Sequence, residues 1–250
     1  DAITMFCGIE KDDIILEIGP GLGALTEDIM PLCSKLIAVE KDRGLSACLK
    51  NIFHDNKKLD IINKDILEYS IASLYRKHKK KIKVIGNLPF YITSPIIFHL
   101  LEYKKYIESI IITVQKEVAK RIISGPGSKD YGLLSCSVQY HTMPSIKMYM
   151  SKTYFFPVPE VDASLLELKI RKEPAVSVKD EKLFMGIIRS AFNQRRKTLY
   201  NALSKSVFVK IERLLLKEAF TKTGLDLRIR GEDLSLQQFA LLSEELSASF

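Results

Sequence analysis

The amino-acid sequence predicts an α/β domain built on a parallel sheet, followed by a small all-helical domain. Over roughly the first 170 residues, short apolar runs alternate with helical patterns, which is typical of βαβ units. From about Asp180 onward the hydrophobic spacing is helical alone. We therefore expect residues 1–173 to form the α/β domain and residues 174–250 to form the helical domain.

The apolar runs give the order of the elements. Five runs are candidate strands, and a later β-rich run is a candidate edge strand; they cover residues 14–18, 36–39, 59–62, 84–85, 110–114 and 164–170. Between the first strands, helical patterns cover about 22–30, closed by Pro31, and about 42–53. The tail predicts three helices, at about 181–204, 208–220 and 236–246.

Composition excludes several classes of function. The 250 residues have ordinary hydrophobic and charged contents and no apolar run long enough to span a membrane. Four cysteines and four histidines lack the spacing of zinc ligands, so we expect reduced thiols and no metal site. No signal peptide is visible, and we expect a cytoplasmic protein. The net charge of +8 favours a polyanionic partner.

The segment 17–23 connects the first predicted strand to the first predicted helix. Its glycines allow a ligand to approach the backbone closely, and a helix N-terminus favours polar or anionic groups. About twenty residues later Glu40 ends the second strand, where a carboxylate can bind ribose hydroxyls. These features predict a nucleoside cofactor. They do not specify which one, because Gly19, Gly21 and Ala24 also satisfy the dinucleotide-binding fingerprint.

Two further polar residues follow the third and fourth strands. The carboxylate of Asp65 can accept a hydrogen bond from an adenine amine, and its alternative role is to cap the following turn. Because parallel strands end at the same edge of a sheet, we expect Glu40, Asp65 and Asn87 to share one rim. Such a set favours a transferase with an adenosyl cofactor over a hydride-transfer enzyme.

The stretch Asn87-Leu88-Pro89-Phe90 supplies the parts of a base-binding site. It combines an amide that donates and accepts, a proline that stiffens the turn and an aromatic face. The alternative is an ordinary turn with Phe90 packed in the core. Phe156 lies in a proline-containing loop before the edge strand, where it can pack against the same base or serve a structural role.

Two basic segments are candidates for contacts with nucleic acid. Arg195, Arg196 and Lys197 fall within a predicted helical pattern and suit phosphate contacts, the alternative being a solvated face. The helical tail around them has 13 lysines and arginines against 9 acidic residues. The run 76–81 is predicted to be an exposed loop that adds only general attraction to RNA or DNA.

In order and spacing, these residues resemble the S-adenosylmethionine-dependent ribosomal RNA adenine dimethyltransferases. The matching positions are 17–23, Glu40, Asp65 and 87–90, and further similar stretches are 115–118, 125–132, 156–161 and 192–199. Together they are most similar to the bacterial KsgA type, which modifies small-subunit ribosomal RNA. The likeness extends from about Asp13 to Phe239.

The resemblance implies a Rossmann-like, seven-stranded class I methyltransferase sheet followed by a helical RNA-contacting domain. It implies S-adenosyl-L-methionine as the cofactor and a monomer whose partner is small-subunit (16S) ribosomal RNA or the precursor of that subunit. The family transfers two methyl groups to the exocyclic amine of each of two adjacent adenosines in a hairpin loop. By position, the cofactor site comprises Glu17, Gly19, Gly21, Glu40, Lys41, Asp65, Ile66 and Asn87.

The same resemblance assigns the target site. Asn87, with the carbonyl of Leu88, is expected to bind the target amine, and Phe90, after Pro89, is expected to stack on the target base. The family also has a segment before the first strand that closes over the cofactor. This chain starts at Asp1, after that segment, so we expect weak cofactor binding. The alternatives are a large-subunit (23S) methylase that confers macrolide resistance and a non-catalytic RNA-binding assembly factor.

Overall fold

The structure, a computed structural model, describes residues 2–155 and 158–247. Among these residues, seven strands form one sheet in the order β3-β2-β1-β4-β5-β7-β6. The strands are β1 (Ile14–Ile18), β2 (Lys35–Glu40), β3 (Leu59–Asn63), β4 (Ile82–Asn87), β5 (Ile107–Gln115), β6 (Thr142–Met150) and β7 (Ala163–Ile170). The predicted α/β class and the seven-stranded sheet are confirmed.

The same part of the chain contains eleven α-helices. They are α1 (Ala2–Phe6), α2 (Ala24–Ile29), α3 (Arg43–Ile52), α4 (Ile71–His78), α5 (Thr93–Glu102), α6 (Lys116–Ile123), α7 (Leu133–His141), α8 (Glu181–Asn193), α9 (Leu199–Ser204), α10 (Arg213–Thr223) and α11 (Leu236–Ser247). None of these described helices combines the length and apolarity that a membrane crossing requires.

Strand β1 lies at the centre of the parallel part of the sheet. It pairs in parallel with β2 and β4, β2 pairs with β3, and β4 pairs with β5. All five residues of β1 are buried, as the continuous apolar run predicts for a strand covered on both faces. Strand β7 runs antiparallel to β5, and β6 forms the outer edge beyond it. Strand β6 is absent from the sequence prediction.

The chain forms two compact units that differ from the predicted linear boundary at residue 173. The first comprises residues up to Ala119 together with Met143–Ile170, and the second comprises Lys120–Thr142 together with the chain from Arg171 onward. The first unit has an apolar core around Ile15, Leu36 and Ile111. The second unit has its own core, because α7 contributes Tyr140 and Cys136 to the cluster formed by the later helices.

The predicted helix at 181–204 is two helices. Asp180 caps α8 by accepting a hydrogen bond from the Leu183 amide. Helix α8 ends at Asn193, and Thr198 caps the new helix α9 by accepting from the Asn201 amide. The predicted helix at 208–220 begins later, at Arg213. The basic segment 195–197 therefore lies in the turn between two helices and not within one, which corrects the prediction.

Candidate active site

One edge of the sheet holds the predicted polar residues. Strands β3, β2, β1 and β4 are mutually parallel in this spatial order, so their carboxyl ends face the same edge. Glu40 is the last residue of β2, Asn87 is the last residue of β4, and Asp65 lies two residues beyond β3. The structure thus brings these three residues to a common rim, as their sequence positions predict.

The loop after β1 brings backbone amides to this rim. Gly19 and Gly21 have φ angles of 65° and 61°, a conformation that residues with a Cβ atom rarely adopt. The Gly19 amide donates to the Val39 carbonyl at 3.0 Å, which joins the loop to β2. The Gly21 amide donates to Oε2 of Glu40 at 3.2 Å. These two hydrogen bonds fix the loop against the end of the neighbouring strand.

Glu40 is nearly buried, with 7% of its surface exposed. Its Oε2 accepts from Gly21 and its Oε1 accepts from the Asp42 amide at 2.9 Å. Each carboxylate oxygen has two lone-pair directions, so both oxygens retain acceptor capacity. The side chain is therefore oriented by the backbone and can still accept hydrogen bonds from ligand hydroxyls.

Glu17 is fully buried beneath the glycine loop. Its Oε2 accepts a hydrogen bond of 2.7 Å from the hydroxyl of Thr26, whereas its Oε1 has no hydrogen-bond partner. Burial raises the pKa of Glu17 to about 7, against the opposing effect of the Thr26 hydrogen bond. The nearby carboxylate of Glu40 makes a smaller contribution to this raised pKa.

Asp65 caps the short turn after β3 and also pairs with a lysine. Its Oδ1 accepts from the Leu67 amide at 2.9 Å, so the alternative capping role is present. Its Oδ2 lies 2.8 Å from Nζ of Lys41. The Lys41 hydrogen bond, and then the Leu67 amide, lower the pKa of Asp65. The Lys41 side chain is 70% exposed, so it can leave Oδ2 free for a ligand at little cost.

A cleft of about 610 Å³ lies along this edge. Six of the predicted site residues line it: Gly19, Glu40, Lys41, Asp65, Ile66 and Pro89. The other lining residues are Ile18, Val39, Asp42, Arg43, Lys64, Tyr91, Ile92 and Ile96. Tyr91 is 86% exposed. Its position directly after the predicted base-binding stretch was the available sequence signal.

The stretch from Asn87 to Phe90 forms a fixed turn. The carbonyl of Pro89 accepts hydrogen bonds from the Ile92 amide and the Thr93 hydroxyl. The Asn87 side chain is exposed, and Leu88 is buried. Phe90 is half-buried and packs against the core of its unit, so the alternative of core packing holds in part.

Asn87 also lies beside the glycine loop. Its carbonyl oxygen is 3.9 Å from the position that a Cβ atom would take on Gly19. The ends of β1 and β4 therefore approach each other closely at the rim. Five predicted site residues do not line the cleft themselves, although residues close to them in the chain do. They are Glu17, Gly21, Asn87, Leu88 and Phe90. Phe156 lies outside the described residues.

The three adjacent cations of the second unit differ in their surroundings. Nη2 of Arg195 donates to the carbonyls of Lys129 and Tyr131 and to Oε2 of Glu232, at 2.8, 3.1 and 3.0 Å. Arg195 thus ties the turn to a loop of the same unit. Arg196 and Lys197 are exposed, and no carboxylate pairs with either among the described residues.

The volume and the lining residues of the cleft suit a nucleoside cofactor. The volume is within the range of about 300–1,000 Å³ that is typical of small-molecule sites. The walls offer two carboxylates on neighbouring strands: Glu40 ends β2, and Asp65 follows β3, the next strand outward. Gly19, which also lines the cleft, presents backbone without a side chain there.

Comparison with known proteins agrees with this geometry. Residues 1–247 match the family model described as ribosomal RNA adenine dimethylase. The chain is 41% identical over 249 residues to ribosomal RNA small subunit methyltransferase A of Halothermothrix orenii, which covers 98% of this chain and 83% of that protein. It is 42% identical to the protein of the same name from Lachnoclostridium phytofermentans, over 94% of this chain and 82% of that protein.

Solved structures share the fold. A dimethyladenosine transferase from Plasmodium falciparum superposes with a TM-score of 0.79 at 22% identity, covering 96% of this chain and 92% of that one. The 23S rRNA methyltransferase ErmE gives a TM-score of 0.71 at 22% identity, covering 98% and 96%. With the family match over nearly the whole chain, these results show that the chain belongs to the ribosomal RNA adenine dimethylase family of methyltransferases.

Proposed function

We propose that this protein uses S-adenosyl-L-methionine to dimethylate the exocyclic amines of two adjacent adenosines in a hairpin loop near the 3′ end of small-subunit (16S) ribosomal RNA. The observation that carries the proposal is the common rim of Glu40, Asp65 and Asn87 beside a glycine loop. The names of the two relatives described above support the choice of RNA. The modification would be a step in the biogenesis of that subunit.

The cofactor supplies a methyl group bound to a cationic sulfonium, which makes that methyl electrophilic. Glu40 would accept hydrogen bonds from the ribose hydroxyls, because its carboxylate is already oriented by two backbone amides. Asp65 would accept from the adenine amine once Lys41 moves aside. The backbone at Gly19 and Gly21 would contact the methionine part.

Methyl transfer to the target amine would depend on how the amine is oriented and would not require a general base. An adenine exocyclic amine is a weak nucleophile because its lone pair is delocalised into the ring. The side-chain oxygen of Asn87 and the carbonyl of Leu88 would accept from its two hydrogens and favour a pyramidal nitrogen, with the lone pair directed at the methyl group. Phe90 would stack on the extruded base and offset part of the cost of unstacking it.

The second unit would supply contacts with the RNA backbone. Arg196 and Lys197 are exposed cations without a carboxylate partner among the described residues, which suits them to phosphates. Arg195 would act mainly through the turn that it holds, since one of its nitrogens already has three acceptors. The likeness to a 23S rRNA methyltransferase at 22% identity is one of fold and does not favour large-subunit RNA.

The direct test is methylation of purified small and large ribosomal subunits from a strain that lacks the modification. With radiolabelled cofactor, we expect label in the small-subunit RNA, at two adjacent adenosines of one hairpin loop. Label confined to the large-subunit RNA would overturn the proposed substrate. Binding of RNA without transfer of label would favour the non-catalytic alternative.

A further inference from the structure

Some cations of the basic run 76–81 form ion pairs with carboxylates, and others do not. Lys77 lies 3.5 Å from Asp60, and Lys80 lies 2.6 Å from Asp12. These two lysines therefore have carboxylate partners on their own unit.

Three cations of the run have no such partner. Arg76, Lys79 and Lys81 are exposed, and no described carboxylate lies within ion-pair distance of any of them. Other exposed lysines of this unit, such as Lys50 and Lys169, also have no carboxylate partner in the part of the chain that the structure describes. The end of α4 and the segment that leads into β4 differ in that they place three such cations within six residues of the chain.

The sheet register adds a second basic segment to this place. Ile82, the first residue of β4, pairs with Ile107, the first residue of β5. Lys81 and Tyr106 directly precede these two residues, so they are brought side by side. Lys105, which is exposed, precedes Tyr106 and joins the three unpaired cations.

Aromatic rings support this basic segment. The rings of Tyr75 and Tyr106 are 5.1 Å apart, and Tyr103 continues the row at 6.4 Å from Tyr106. Nζ of Lys105 lies 4.8 Å from the centre of the Tyr106 ring. These half-buried rings pack α4 against the turn before β5, and thus hold the two backbone segments that bear the cations together.

This surface is at the edge of the sheet opposite the cleft. It lies at the amino ends of β4 and β5, whereas Asn87 and the cleft lie at the carboxyl ends of the parallel strands. A strand of the length of β4 spans about 20 Å. An RNA segment on this surface is therefore not the nucleotide held at Asn87.

We propose that Arg76, Lys79, Lys81 and Lys105, the amino-edge basic surface, bind the phosphodiester backbone of a segment of the small-subunit RNA outside the methylated hairpin loop. This inference rests on the proposed function, because it takes the RNA to be the substrate particle. The surface adds affinity for the folded particle and takes no part in methyl transfer.

The test compares two triple variants of the full chain. Arg76→Gln/Lys81→Gln/Lys105→Gln removes three charges from the surface, and Lys50→Gln/Lys169→Gln/Lys182→Gln removes three exposed, unpaired charges elsewhere. Affinity for unmodified small subunits is measured at several salt concentrations. Methylation is measured on those subunits and on a short RNA hairpin that contains only the target loop.

For the surface variant we expect a KM for small subunits raised about 10-fold and a salt slope reduced by about 2, with the KM for the hairpin unchanged. Unchanged affinity and salt slope would overturn the proposal, as would equal losses in the control variant. If the unsubstituted protein methylates neither RNA, the proposed function fails, and the salt slopes of the two variants still decide whether the surface binds RNA.

Discussion

The backbone amide of Gly21 donates a hydrogen bond of 3.2 Å to the carboxylate of Glu40, nineteen positions away in the chain. This bond joins the loop after β1 to the end of β2 and holds the carboxylate in the wall of the cleft. The loop and the carboxylate that we propose to bind ribose are therefore one structural element, in which a change at Glu40 alters both.

Replacing Glu40 with Gln is expected to raise the dissociation constant of S-adenosyl-L-methionine at least about 10-fold, since hydrogen bonds to a charged group contribute roughly 1.5–3 kcal/mol. Isothermal titration calorimetry measures the effect. The exposed Glu102 provides a matched control, Glu102→Gln, which is expected to bind normally. If both variants bind S-adenosyl-L-methionine with equal affinity, Glu40 is not part of the cofactor site.

Glu17 makes stability depend on pH. Its pKa is about 7 in the folded protein and ordinarily 4.5, so the folded state holds the proton more tightly between these values. The stability that comes from this proton is complete below about pH 4.5 and is lost as the pH rises through 7. Glu17→Gln is therefore expected to be more stable than the unsubstituted protein at pH 8, by up to roughly 3 kcal/mol, and equally stable near pH 4.5.

Urea unfolding of the cofactor-free proteins at the two pH values measures this difference. Glu27→Gln is the control, because Glu27 lies on the exposed face of the helix that contains Thr26. If the difference in the free energy of unfolding between Glu17→Gln and the unsubstituted protein is the same at both pH values, burial does not raise the pKa of Glu17.

Arg195 is expected to act on stability more than on RNA. Arg195→Ala loses three hydrogen bonds within its unit and should lower the free energy of unfolding by about 1–3 kcal/mol. Arg195→Lys should recover little, since an ammonium group does not reproduce the planar geometry of the guanidinium. Urea unfolding checks both, with Arg196→Ala as a control that should stay within about 0.5 kcal/mol. Full stability of Arg195→Ala would contradict the assignment.

Arg196 and Lys197 are expected to act on RNA. The double variant Arg196→Ala/Lys197→Ala should reduce the slope of log affinity against log salt by about 1.5, with normal stability. Fluorescence anisotropy with a labelled small-subunit RNA fragment measures the slope. The exposed Lys205 and Lys210 of the same unit give a control pair. If the salt slope of the double variant is as steep as that of the control pair, Arg196 and Lys197 are solvated surface charges that do not contact RNA.

The sequence predicted the parallel core of the fold because each buried strand is a continuous apolar run. Strand β6 was missed because it contains Pro144 and because its residues between the two ends are exposed or half-buried at the sheet edge, where the hydrophobic signal is weak. The inclusion of residues 120–142 in the helical unit depends on contacts with helices far along the chain. No local pattern encodes such contacts.

The candidate site was predictable where strand ends determine it. Glu40 and Asn87 could be placed on one rim because parallel strands share an edge. Tyr91 and Arg43 could not be predicted as cleft residues, since their positions in the cleft depend on how the segments after β2 and β4 pack. The break at 194–198 did have a local signal, namely Thr198 at a capping position before Asn201.

Single-turnover methyl transfer by Asn87→Ala tests the central claim most directly. With the target hairpin and saturating cofactor, the account predicts a rate about 100-fold lower or more, because an oriented acceptor at the reacting amine is lost. RNA affinity should stay within about two-fold, since the role proposed for Asn87 involves the target amine and no phosphate. Transfer at the unsubstituted rate by this variant would contradict the role of Asn87 at the target amine.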